Sequence, residues 1–250
     1  MLVGSVAGPR SGSYSPHFGS RSGEGLIRWF EDLMVHATPM RLLRIPEPFD
    51  HPDFLFEPKL DGFRALAHVR GHRCELVSRN VHVFKSWPQL AEEIAHAVRA
   101  HSAVLDGEIC CLEPELRTHF RNLLFRREWP FFYAFDVLQI NGRDVRHLPL
   151  TERKARLQAI TPAVEGRLLF LDSIAGRGRD LFRVACERDL EGIVAKWGQG
   201  TYQTDRRATS WLKIKNTEYT QMRDRHELFQ DRPGHGGRGK NASPPALVLR

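Results

Sequence analysis

The chain has 250 residues, 41% of them hydrophobic, enough to bury one good core or one core with a small appendage. No apolar run approaches the ~20 residues that cross a bilayer. The opening "MLVGSVAGPRSGSYSPHFGSRSGEG" carries no apolar signal region, so the expectation is a cytoplasmic protein. A formal net charge of +7 favours an anionic partner, nucleic acid foremost. The four cysteines, Cys74, Cys110, Cys111 and Cys186, form no C-x-x-C pair and read as reduced thiols.

Residues 1–39 are rich in Gly, Ser and Arg at their start and read as a disordered or weakly ordered extension. Within them, "LIRWFEDLMVHA" has helical spacing at Ile27, Phe30, Leu33 and Met34. Residues 40–230 read as one globular domain. Its segment "RALAHVRGHRCELVSRN" predicts a hairpin turning at Gly71, with apolar residues at every second position. "SWPQLAEEIAHAVRA" predicts a helix, with Pro88 near its start and Leu90, Ile94, Ala97 and Val98 on one face. "AVLDGEICCL" and "PFFYAFDVLQI" are apolar runs bounded by turn signals, hence buried strands, and "NGRD" marks the turn after the second. "LTERKARLQAI" predicts a helix capped by Thr151, and "RDLFRVACERD" another. The strands "EGIVAKW" and "SWLKIKN" follow, and residues 231–250 read as a disordered tail. The pattern is α+β, with antiparallel sheets flanked by helices.

Four of these strands carry charge where apolar residues would pack better. Lys59 and Asp61 end the first, Asp106 and Glu108 flank Gly107, Glu191 and Lys196 bracket "GIVA", and Lys213 and Lys215 alternate in "WLKIK". One such strand is ordinary solvent-face alternation. Four together point to a shared polar cleft, in which carboxylates hold a divalent cation and lysines meet phosphate oxygens. In their order, "KLDGFR", "SRN", "LDGEI", "FYAFDVL", "EGIVAK" and "WLKIK" resemble the sequential motifs of ATP-dependent DNA ligases, within the covalent nucleotidyltransferase superfamily. The likeness is strongest to bacterial ATP-dependent ligases and to the ligase domain of end-joining enzymes. It implies an ATP-grasp-like adenylation domain that uses ATP with Mg2+ or Mn2+ and acts on nicked duplex DNA in repair or recombination.

The resemblance casts Lys59 as the nucleophile that attacks the α-phosphate of ATP to form a lysyl–AMP. That attack needs a neutral amine, so burial and neighbouring cations (Arg64, Lys213, Lys215) are expected to lower the Lys59 pKa from its ordinary ~10.4. By the same resemblance Glu57 lies beside the adenine, Arg64 at the ribose edge, and Phe135 stacks on the base. Arg79 meets a phosphate, of the nucleotide or of the nicked strand. Glu108 lies near the ribose and the metal, Glu191 is metal-associated, Lys213 and Lys215 contact the α-phosphate, and Arg207 lies near the nucleotide. Plainer readings stand beside these. Phe135 is also an ordinary core aromatic, Asp61 and Asp106 suit turn-fixing side chains, and Lys196 suits a surface position at a strand end. His68, His72 and His82 read as exposed hairpin positions, and no zinc spacing is present.

In two places the chain departs from the family pattern. About 35 residues follow Lys215, too few for the OB-fold domain that follows this motif in complete ligases, so the expectation is an adenylation domain with no OB-fold domain. A protein supplying that clamp in trans is then a candidate partner. "EPELRT" also stands where related ligases place a glycine-bearing turn. Two other readings stay open: a non-catalytic or partner-dependent module that binds DNA ends or nicks, and an RNA ligase of the same superfamily. Met1 and Met40 both stand as possible starts.

Overall fold

The computed structural model describes residues 38–111, 129–163, 166–205, 207–220 and 246–249. The expected helix at Leu26–Ala37 and the "EPELRT" stretch lie outside them. The described residues belong to one unit, Thr38–Arg250, and hold two larger sheets. Among them no helix is long and apolar enough to cross a membrane.

The first sheet contains β1 (Leu43–Arg44), β2 (Phe54–Pro58), β9 (Ile174–Ala175), β10 (Gly192–Trp197) and β12 (Trp211–Lys215), in the order β1-β12-β10-β2-β9. All its pairings are antiparallel except β1 with β12. Because side chains alternate across a strand, one face carries Phe54, Phe56, Ile193, Ala195, Leu212 and Ile214, which pack in one core with Ala185 of α3 (Gly178–Glu187). The opposite face receives Glu57, Val194 and Lys213 in one cross-strand row, and Leu55, Lys196 and Trp211 in the next.

The second sheet runs β4 (Arg73–Ser78), β3 (Phe63–Arg70), β5 (Ser102–Cys110), β6 (Phe131–Ile140) and β7 (Arg143–Asp144), with β8 (Leu168–Phe170) parallel to β6. Ala65, Ala67 and Val69 form a core with Leu90 and Ile94 of α1 (Pro88–Ala97) and Leu157 and Ile160 of α2 (Leu150–Ile160). The expected hairpin turns at Gly71 between β3 and β4, and Pro88 opens α1. Mixed sheets flanked by few helices are thus the architecture.

Three expectations need correction. His68 is buried, because it lies in the middle of β3 between β4 and β5 rather than at the hairpin tip. His72 and His82 are exposed as expected. Thr151 does not cap α2: the helix already includes Leu150, follows Pro149, and has no side-chain cap. Lys196 is no surface residue, since β10 is flanked on both sides by strands and its lysine is buried. In the expected loose tail, β13 (Ala246–Leu247) lies parallel to β11 (Ala208–Thr209).

Candidate active site

A pocket opens between the polar faces of the two sheets, lined by residues from both. From the first sheet and its edges come Leu42, Glu57, Lys59, Val194, Lys196 and Trp211. From the second come Arg64, Glu108 and Phe135, closed by Leu171 after β8. Phe135 sits at an irregularity in β6. Asp106 faces Asp136 and Gly107 faces Ala134, so Phe135 has no opposite residue. Such a bulge shifts the alternation by one position. Phe135 thus reaches the pocket by alternation from Phe132 and Ala134, and the shift returns Val137 to their core.

Lys59 follows the last residue of β2, and its backbone N–H donates to Gly192 O at 2.9 Å. Its ammonium forms an ion pair with Glu191 Oε2, and Lys215 Nζ lies 3.0 Å from Glu191 Oε1. Burial pushes the Glu191 carboxyl up, but Lys59 and then Lys215 outweigh it and hold it below its usual range. Lys213, on the same face of β12, has its pKa lowered by burial and by the charges of Lys59 and Lys215. The Glu108 carboxyl is pushed up to about 7, chiefly by burial, with Lys59 and Arg64 working against the shift.

Arg64 is held rather than free. Nε and Nη2 donate to the two oxygens of Asp106 at 3.0 and 2.6 Å, and Nη1 donates to Met40 O at 2.7 Å. Burial opposes the guanidinium charge, but Asp106 more than offsets it. The Tyr202 hydroxyl donates to Asp106 Oδ2 at 2.6 Å. Asp106 therefore positions Arg64 and does not fix a turn, which corrects the plainer expectation. Asp61 is buried and accepts from the Tyr219 hydroxyl at 3.0 Å.

The pocket floor is a charged layer beneath aromatic rings. Glu57, which is 1% exposed, receives Lys154 Nζ on Oε1 at 2.7 Å and faces Lys196 Nζ at 2.6 Å from Oε2. Lys196 Nζ lies 4.2 Å from the Phe135 ring centre and 4.1 Å from that of Trp211. Burial lowers the Lys196 pKa to about 8 even though Glu57 opposes the shift.

The fold thus brings together Glu57, Lys59, Arg64, Glu108 and Phe135 as pocket lining, with Glu191, Lys213 and Lys215 grouped around Lys59. Arg79 and Arg207 lie elsewhere: both are exposed and neither lines the pocket. Sequence reasoning missed Trp211 and Lys154, and it counted Lys196 among the charges of the cleft without giving it a role. For Trp211 a signal existed, because it alternates with Lys213 and Lys215 and so shares their face. Lys154 carried none, being one charge among several on a polar helix.

A polar cleft with a lysine at a strand end, carboxylates beside it and aromatic walls belongs to a nucleotidyltransferase. The chain belongs to the ATP-dependent DNA ligase domain family, whose model matches residues 37–215. It is 28% identical over 196 residues to the SPbeta prophage-derived DNA ligase-like protein LigB of Bacillus subtilis, covering 75% of this chain and 70% of that one. Identity to the multifunctional non-homologous end joining protein LigD of Pseudomonas aeruginosa is 33% over 173 residues, covering 65% of this chain but only 20% of LigD. The structure of mycobacterial DNA ligase D complexed with ATP and MES superposes with a TM-score of 0.63 at 27% identity, covering 72% of this chain and 60% of that one. The expected family and fold therefore hold, on a chain that spans only part of the multidomain relatives.

Proposed function

We propose that this chain charges Lys59 with AMP from ATP and passes the adenylate to the 5′-phosphate of nicked duplex DNA, for sealing to the neighbouring 3′-hydroxyl. The observation that carries this reading is the position of Lys59. It stands at the end of β2, grouped with Glu191, Lys213 and Lys215, on the rim of a pocket walled by Phe135 and Trp211. The two rings offer the apolar surface a purine needs, with Glu57 at its edge and Arg64, fixed by Asp106, toward the ribose. Lys213 and Lys215 supply positive charge for the α-phosphate, where negative charge grows as the Nζ–P bond forms and pyrophosphate leaves. An ammonium has no lone pair, so Lys59 has to give up a proton, to Glu191 or to water, before the amine attacks.

Among the described residues no cluster of three metal-ligating side chains exists. Magnesium fits such a site, because it binds through one or two carboxylates and completes its shell with water and substrate phosphates. Glu108 and Glu191 would hold it, and when bound it would neutralise phosphate charge; manganese suits the same donors. Arg79 and Arg207, exposed and outside the pocket lining, would meet phosphates of the DNA backbone. The likeness to end-joining LigD supports work in DNA repair, with a partner domain or protein gripping the duplex.

The test is incubation with α-labelled ATP and Mg2+ or Mn2+, beside Lys59→Ala. Covalent label on the wild type alone, stable to denaturation and alkali but released by acid as a phosphoramidate is, supports the reading, and nicked DNA added to the charged protein should then release AMP as the strand is sealed. A protein that takes no label with either metal, yet binds nicked DNA, would instead be a binding module.

A further inference from the structure

We propose that Lys154, a residue of α2 outside the pocket lining, is the positioning residue that makes the pocket selective for a 6-aminopurine. The inference rests on the reading of this pocket as a nucleotide site. Lys154 Nζ donates both to Glu57 Oε1 at 2.7 Å and to Leu171 O at 2.8 Å. Glu57 belongs to the first sheet and Leu171 follows β8 of the second, and both line the pocket. One ammonium thus ties the two walls together. It also lies 4.6 Å from the Phe170 ring centre, so its remaining surroundings are partly aromatic.

Lys154 donates to one oxygen of Glu57 and Lys196 forms an ion pair with the other, which restricts rotation of the carboxylate about its last bond. A carboxylate can only accept hydrogen bonds. Its remaining lone pairs therefore suit a base edge that carries an amino group and oppose one that carries a keto oxygen. A buried ion cluster is poor value as a stability device, because packed apolar side chains do as well. Here it holds an acceptor in a set orientation. Without Lys154, Glu57 keeps one cationic partner and regains rotational freedom, and the Leu171 carbonyl loses its donor.

The experiment compares wild type with Lys154→Met and Lys154→Arg. Binding of ATP, GTP and the 6-unsubstituted purine riboside triphosphate is measured by calorimetry, and lysine labelling is followed with each nucleotide. Lys154→Met should weaken ATP binding about tenfold or more and cut the preference for ATP over GTP by a similar factor, with the loss falling on KM more than on kcat. Lys154→Arg keeps the charge and should recover most of the preference. A variant that melts like wild type, yet keeps the same ATP preference and KM, overturns the proposal. If Lys154→Met does not fold, an Arg variant with wild-type KM but no base preference overturns it as well. A wild type that binds ATP selectively but takes no label refutes the self-charging reading while leaving the role of Lys154 to the binding data. A wild type that binds no nucleotide refutes both.

Discussion

Replacing Arg153 by Met should destabilise the protein far more than a surface charge would. Arg153 and Asp136 are both fully buried, and Nε and Nη2 meet the two Asp136 oxygens at 2.8 Å each. Nη1 also donates to Leu148 O at 2.6 Å and to Gly200 O at 2.9 Å. The substitution leaves a buried carboxylate whose remaining donor is the Val137 N–H, and removes the donor from two carbonyls. Removing one partner of a buried pair costs about 3–5 kcal/mol, a large share of the ~5–15 kcal/mol that stabilises a typical domain. Urea unfolding followed by tryptophan fluorescence should show the midpoint falling with little change in slope. Arg153→Met combined with Asp136→Leu should recover much of the loss, since no charge is then stranded. A single variant that loses less than about 1 kcal/mol, or a double variant no better than the single one, would refute the assignment of the cost to the orphaned carboxylate.

His68 should make the protein acid-labile. Burial lowers its pKa from 6.5 to about 4, so the unfolded chain takes up a proton that the folded one refuses. Its contribution is complete above about pH 6.5 and is lost as pH falls toward 4, a change on the order of 3 kcal/mol. His68→Leu should flatten that limb in denaturant titrations at stepped pH, and parallel curves for the two proteins would disprove it. Gly62→Ala should abolish most lysine labelling, because its Cβ would stand 2.1 Å from Ile109 O and push β5 away beside Lys59. Gly71→Ala, with nothing within 4 Å but a φ of +55°, should cost about 1 kcal/mol and leave labelling intact. Equal labelling losses in the two would show that the close approach at Gly62 is irrelevant. Phe135→Leu should raise the KM for ATP roughly tenfold, the scale of one lost base stack, and an unchanged KM would place the base elsewhere.

Much of the site was legible in the sequence for a local reason. Alternation along a strand decides which side chains share a face, so Lys213 with Lys215 and Glu57 ahead of Lys59 could be placed by counting. The hairpin at Gly71 and the start of α1 at Pro88 were legible too, since turn and cap chemistry involves near neighbours only. Burial was not. His68 and Lys196 look like surface residues by type, and only the strands lying on both sides of them decide otherwise. Val137 shows the limit within a single strand, because strict alternation from Phe132 and Ala134 puts Phe135 on the pocket face but would have sent Val137 there too had the bulge not intervened.

The sequence by itself determined the order of the elements, the family, and the lysine and carboxylates that crowd one cleft, because each of these is written in residue type and short-range spacing. The tertiary structure alone decided the partners: Glu191 between Lys59 and Lys215, Asp106 beneath Arg64, and Lys154 reaching Glu57 from a helix 97 positions along the chain. Which opposite charge a buried ion meets depends on how two sheets close over one another, and no local pattern encodes that closure.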